Sequence, residues 1–134
     1  MSFLNENKGD CFHCHELGNF MTNFKFADNG LNLNAVSDPG LYGVTGKGED
    51  IGKFKTPALI NLKYTAPYMH DGRFKTLREV IDFYDTGFHY NPLTNPNLDP
   101  NLIKHFDKTT GKPEPRKWTE QDKLDIIEFL EGLV

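Results

Sequence analysis

Apolar residues recur at helical spacing in two stretches of the chain. Between residues 76 and 86 they fall at Leu77, Val80, Ile81 and Tyr84, the i, i+3, i+4, i+7 pattern of one helix face. Thr76-Leu77-Arg78-Glu79 ahead of this stripe reads as a capping box: the threonine oxygen accepts an orphan N–H of the first turn and the glutamate reaches back. Tyr84 is expected to face inward with the aliphatics, and Gly87 marks the expected stop. Near the C-terminus, Thr119-Glu120-Gln121-Asp122 caps a second helix. Its buried side holds Ile126, Ile127, Leu130 and Leu133, with Leu124 and Phe129 at the margins. A further helix is expected over residues 3–17, ended by Gly18. Elsewhere the periodicity breaks. Residues 28–52 are punctuated by Gly30, Asp38-Pro39-Gly40, Gly43, Gly46, Gly48 and Gly52, and read as a long wrapping loop with turns. Residues 54–62 read as half-buried and residues 65–72 as turn-rich. Residues 91–115, with Pro92, Pro96, Pro100, Pro113 and Pro115, read as a second loop. Short helices joined by long loops give an all-α fold class, with residues 1–134 as one domain.

Composition narrows the class. Lys and Arg number 15 against 19 Asp and Glu, a formal net charge of −4, and no basic stripe offers a surface for nucleic acid. No apolar run approaches the roughly 20 residues that span a bilayer. Hydrophobic residues make up only 37% of the chain, yet 11 Phe, 5 Tyr and 1 Trp are among them. Few aliphatics and many flat rings suit a pocket around a large planar cofactor.

The cysteines sharpen this. The only two lie together in Cys11-Phe12-His13-Cys14-His15. A lone pair is no disulfide framework. Half a zinc site would need a second ligand pair, and His70, His89 and His105 are single and widely spaced. A redox dithiol wants a strand before it, whereas Asn5-Glu6-Asn7-Lys8-Gly9-Asp10 contains no β-branched residue. Cys-x-x-Cys-His is also the attachment site of a c-type haem, and this reading leads the other two. Two thiols add to the vinyl groups at one porphyrin edge, and the adjacent imidazole binds the iron. His13 is expected to be a solvated spacer. Such attachment takes place outside the cytoplasm, so a periplasmic location is expected. Met1-Ser2-Phe3-Leu4-Asn5 has neither a basic start nor an apolar h-region, so either a signal has been removed or the chain is a piece of a longer one.

The opposite face of the iron decides the chemistry. A thioether there raises the potential, and a phenolate stabilises ferric or higher states. Met69, Met21, Tyr84 and the remaining histidines are the candidates. Met21, close behind Cys14, is expected in the core. Met69 sits in a turn between Tyr68 and His70, where a side chain can project toward a cofactor. His70 is either a ligand, a hydrogen-bonding group near the iron or a structural loop residue. His89 and His105 sit in polar loops and are expected to be solvated.

Phe54-Lys55-Thr56-Pro57-Ala58-Leu59-Ile60-Asn61-Leu62, Thr65-Ala66-Pro67-Tyr68-Met69-His70-Asp71-Gly72, Thr76-Leu77-Arg78-Glu79-Val80 and Phe83-Tyr84 carry a resemblance. Together with the Cys-x-x-Cys-His motif and the last helix, they are similar to the C-terminal haem domain of bacterial di-haem cytochrome c peroxidases and their MauG-type relatives, over nearly the whole chain. The resemblance implies a cytochrome c-like fold, with Cys11 and Cys14 carrying the thioethers of one haem c and His15 bound to iron. The family's distal ligand, Met in typical peroxidases and Tyr in the MauG type, matches Tyr84, which is favoured over Met69. His70 becomes a group supporting the site. Backbone oxygens of Thr65 and Pro67 match part of an interdomain calcium site. The implied partners are a second haem domain of the same chain and a small donor cytochrome or cupredoxin, with hydrogen peroxide as ultimate substrate. The departures are as specific. The family has two haem motifs, and the haem that meets peroxide lies in the N-terminal half, whereas this sequence has one motif. The remaining calcium ligands and the inter-haem tryptophan have no match, since Trp118 opens the last helix. The expected role is the electron-transfer half of a peroxide-reducing enzyme; the alternative is a free-standing mono-haem carrier with Met69 on iron.

Overall fold

Both stripes of apolar residues form helices, because each has a self-capping start and a face to bury. The computed structural model describes residues 3, 5, 8–31, 38–86 and 93–134. In chain order its elements are a 3₁₀ turn at Cys11–His13, strand β1 (Phe26–Ala27), helix α1 (Tyr42–Thr45), a 3₁₀ turn at Gly48–Asp50 and strand β2 (Phe54–Lys55). A 3₁₀ turn at Leu62–Tyr64 follows, then helices α2 (Leu77–Thr86), α3 (Pro100–Ile103) and α4 (Glu120–Glu131). The chain divides into two compact units. One comprises Met1–Asn23, Pro57–Thr86 and Pro115–Val134, the other Phe24–Thr56 and Gly87–Glu114.

The first unit is organised by α2 and α4. At the start of α2, Glu79 N–H donates to the Thr76 hydroxyl (3.2 Å), and its carboxylate accepts from the N–H groups of Lys75 (2.7 Å) and Thr76 (2.9 Å). At the start of α4, Thr119 and Asp122 complete the same reciprocal box. The buried cluster is Phe3, Met21, Leu77, Ile81, Trp118, Ile126 and Leu130, so Met21 is a core residue as expected. Ile127, Phe129 and Leu133 pack half-buried against it, while Leu124 is exposed.

Along α2 the buried face differs from the periodic reading. Leu77 and Ile81 are buried, but Val80 and Tyr84 are half-buried, and Phe83 and Asp85 are buried. Rings and charge explain the shift. Phe83 packs on Phe74 (ring centroids 5.8 Å apart) and edge-on to Tyr84 (5.1 Å), and the Asp85 carboxylate is 2.8 Å from the Lys123 ammonium. The stop expected at Gly87 lies outside the described residues.

The helix expected over residues 3–17 is not seen among the described residues, where a tight 3₁₀ turn at Cys11–His13 stands in its place. Asp10 takes a left-handed backbone (φ 56°). Cys14 and His15 both donate their N–H to the Cys11 carbonyl (3.3 and 2.9 Å), and Asn23 N–H takes the Cys14 carbonyl (2.9 Å), so no helical ladder propagates.

The second unit is built from turns. The two strands pair antiparallel through Phe26–Lys55 and Ala27–Phe54. Buried Asp28 accepts from Gly30 N–H (2.8 Å) and Asn95 Nδ2 (2.9 Å), and Asp99 N–H donates to its carbonyl (3.0 Å). Gly52, at φ +79°, leaves that carboxylate its room, since a Cβ there would lie 2.7 Å from an Asp28 oxygen. Helix α3 was missed by periodicity. It has its own local signal: Asp99 accepts from Asn101 N–H (2.9 Å) at the cap, and Pro100 opens the first turn.

Candidate haem-binding site

The tight turn at Cys11–His13 sets both cysteines and His15 on a short, closed arc. Cys11 and Cys14 are not joined in a disulfide, and Cys11 Sγ–H donates to the Gly9 carbonyl (3.4 Å). Burial pushes the Cys11 thiol up to about 12, with Asp10 and Cys14 adding to the shift and Arg116 opposing it. A redox dithiol needs the reverse, a stabilised thiolate, so this environment disfavours that alternative. Zinc is disfavoured as well: among the described residues no group of three or more His, Cys, Asp or Glu could hold a metal ion.

His15 has the features of a ligand. Its Nδ1–H donates to the Met21 carbonyl at 2.8 Å, which fixes the orientation of the ring. Burial lowers its pKa, against the pull of the Met21 and Pro57 carbonyls, and favours the neutral imidazole that binds metals. His13 is not the solvated spacer expected from its position. Its Nε2 lies 3.0 Å from an oxygen of Asp10, whose side chain is 1% exposed.

Tyr84, near the end of α2, and Cys11 both pack half-buried against the main core cluster. A hydrogen-bonded chain joins their backbones. Arg116 Nε–H donates to the Tyr84 carbonyl (2.7 Å), and its Nη1–H donates to the Gly9 carbonyl that also receives the Cys11 thiol. Periodicity gave no warning of Arg116, because it lies in an irregular segment before α4.

Met69 occupies a different setting. Tyr68 and Phe74 pair across a bridge (N–H to carbonyl, 2.7 and 3.4 Å), closing a loop with Met69, half-buried, at φ +72°. Gly72 turns that loop at φ +69°, where a Cβ would press on the Pro67 ring at 3.1 Å. His70 is exposed in the same loop, and Thr65 and Pro67 are exposed before it. Tyr68, whose anchoring role has no local sequence signal, fixes the loop by donating its hydroxyl to the Leu62 carbonyl (2.7 Å). Burial and the nearby Glu131 raise its pKa, which keeps it a donor.

These residues fit a covalent haem. The donor set is one oriented imidazole beside two thiols at the right spacing. Leu59, Ile60, Leu62, Tyr68 and Tyr84 lie half-buried with Cys11 around the core, an apolar lining that a planar ring would cover. Calcium fits less well, since Thr65 and Pro67 supply two hard oxygens at most and no acidic cluster accompanies them among the described residues.

No family model matches the chain. Similar proteins are nevertheless clear. The cytochrome-c peroxidase IdrP1 of Pseudomonas sp. (strain SCT) is 43% identical over 102 residues, covering 74% of this chain and 22% of that protein. The methylamine utilization protein MauG of Methylorubrum extorquens is 29% identical over 126 residues, covering 94% of this chain and 31% of that protein. A solved MauG-like protein associated with microbial copper homeostasis superposes with a TM-score of 0.71 at 30% identity, over 98% of this chain and 44% of that one. The chain belongs to the di-haem cytochrome c peroxidase and MauG family. It combines few helices with long loops, and it spans under a third of the length of the two curated relatives. Among the described residues no helix is long and apolar enough to cross a membrane.

Proposed function

We propose that this chain is the C-terminal, electron-transferring haem c domain of a periplasmic di-haem peroxidase of the MauG type. What carries the reading is His15: a half-buried imidazole, oriented by the Met21 carbonyl, directly after two cysteines at haem-attachment spacing. Bound here, the haem supplies a one-electron ferric/ferrous couple. Cys11 and Cys14 tether its edge and His15 binds one face of the iron. Tyr84 would supply the second protein ligand, and a phenolate there would favour the ferric state. The loop holding Met69 and His70, kept in place by the Tyr68 hydroxyl, would supply support near the haem rather than a ligand. Electrons come from a small cytochrome or cupredoxin and pass to a second haem in the rest of the protein, where hydrogen peroxide is reduced. A calcium ion at that domain boundary would take the Thr65 and Pro67 carbonyls and draw its other ligands from the second domain.

The test is the optical spectrum of the haem-matured protein, ferric and reduced, beside Tyr84→Phe and Met69→Leu. A change of ferric coordination in Tyr84→Phe alone supports the MauG-type assignment. A change in Met69→Leu alone transfers the iron to Met69 and supports an electron carrier with thioether ligation. Loss of peroxide turnover by the full-length protein on Cys11→Ala with Cys14→Ala separates the enzyme from the carrier.

A further inference from the structure

We propose that Arg116 is a positioning residue for the haem site, holding the Cys11 tether in register with the end of α2 that carries Tyr84. The inference rests on the reading of Tyr84 as an iron ligand. Arg116 is buried, at 9% exposure. A guanidinium removed from water is costly unless its N–H groups are satisfied. Here they are spent on backbone. Nε–H donates to the Tyr84 carbonyl, 32 residues earlier in the chain, and Nη1–H to the Gly9 carbonyl, 107 residues earlier, with a longer contact to the Lys8 carbonyl (3.4 Å). The main chain joins in, since Arg116 N–H donates to the Asp85 carbonyl (3.4 Å).

Two of these acceptors are among the last four carbonyls of α2, which ends at Thr86 and leaves them no partner within the helix. Arg116 therefore caps the helix end with both a cation and a backbone donor. The third acceptor is the carbonyl shared with Cys11. When the Cys11 thiol adds across a vinyl group, the S–H bond and the vinyl π bond break, a C–S bond forms and the hydrogen goes to the other vinyl carbon, so the sulfur can no longer donate to Gly9. The Arg116 bond to that carbonyl survives the reaction. In the haem-loaded protein it is thus Arg116 that connects the tether's backbone to Tyr84. Lysine would keep the charge but not the fork, because an ammonium cannot span carbonyls on two segments in one fixed plane.

The test uses the full haem-matured protein and compares wild type, Arg116→Lys, Arg116→Gln, Tyr84→Phe and Arg78→Gln. Arg78 pairs with Asp82 and Glu120 on the exposed side of the helices and serves as the stability control. The readouts are electron paramagnetic resonance of the ferric six-coordinate site and covalent haem yield. We expect both Arg116 variants to retain covalent haem and lose most of the wild-type six-coordinate signal, with Arg116→Lys the milder. Arg78→Gln should lower the melting temperature and leave the signal intact. Where Arg116→Gln does not fold, Arg116→Lys decides. If both Arg116 variants keep the wild-type signal while Tyr84→Phe loses it, the positioning role is overturned and the ligand assignment stands. If Tyr84→Phe also keeps it, the ligand assignment fails first. An equal loss in Arg78→Gln would reduce Arg116 to general stabilisation and overturn the proposal.

Discussion

The end of α2 and the loop closed by Tyr68 and Phe74 each carry a candidate iron ligand, and they are held in opposite ways. Helix α2 is fixed along its length: a capping box at Thr76, Lys123 bridging Asp82 and Asp85 at 2.8 Å each, Phe83 among aromatic rings, and Arg116 on its last carbonyls. The loop is closed by the Tyr68–Phe74 bridge and pinned by the Tyr68 hydroxyl, with an exposed Asp71–Arg73 pair near its tip and Met69 in a left-handed backbone. An axial ligand must be delivered to within a few tenths of an ångström, and preorganisation of that kind comes from rigid elements with supporting contacts. The comparison therefore favours the helix as the ligand's carrier and the loop as its cover.

The largest effect should come from removing the anchor that both regions need. Cys11→Ala with Cys14→Ala is expected to abolish covalent haem, checked by mass spectrometry of the denatured protein; retention of the mass increment would sink the haem assignment. Next, Ile126→Ala opens the core beneath α2 and should cost about 2–5 kcal/mol in urea unfolding. A loss below about 1 kcal/mol would mean that the core is not what fixes the helix. Exchanging the ligand sharpens the contrast directly. Tyr84→Met should raise the reduction potential by on the order of 100 mV, as thioether replaces phenolate, while Met69→Gly should leave it in place. Met69→Gly should also relieve the left-handed backbone and stabilise the protein by up to about 1 kcal/mol. A potential shift from the glycine variant would break the comparison.

The smallest effect concerns pH. Burial raises the Asp82 carboxyl, but bonds from Lys123 and Arg78 outweigh it and hold the group below the usual aspartate range. Bonds from Asp82 and Asp85 hold Lys123 above the usual lysine range. A depressed carboxyl stabilises above its unfolded pKa and loses that contribution as pH falls through the folded value. A raised ammonium stabilises below its unfolded pKa and loses it as pH rises through the folded one. The stability gap between wild type and Lys123→Met should therefore be widest near neutrality and close in acid, measured by urea unfolding across pH. A gap that grows in acid would show that the bridge does not hold α2.

Sequence alone identified what local chemistry encodes. The spacing of Cys11, Cys14 and His15 matches what attachment to a haem edge requires, and the boxes at Thr76 and Thr119 are satisfied within four residues. Leu77, Ile81, Ile126 and Leu130 are buried because a helix face repeats whatever surrounds it. The likeness to MauG and the peroxidases was legible for the same reason, being carried by contiguous stretches. What sequence could not reveal depended on residues brought together from far along the chain. The expected helix around the haem motif gave way to a tight turn when Asp10 adopted a left-handed backbone and Asn23 took the Cys14 carbonyl. His13 pairs with buried Asp10 while its ring stays partly exposed, and Phe83 and Asp85 take the buried positions beside Phe74 and Lys123 where Val80 and Tyr84 were expected. Arg116 has no local pattern at all: its role exists only because folding places the carbonyls of Gly9 and Tyr84 within reach of one guanidinium. Periodicity and motif spacing register forces between near neighbours in sequence, whereas the satisfaction of a buried cation is settled by tertiary contacts that no short window contains.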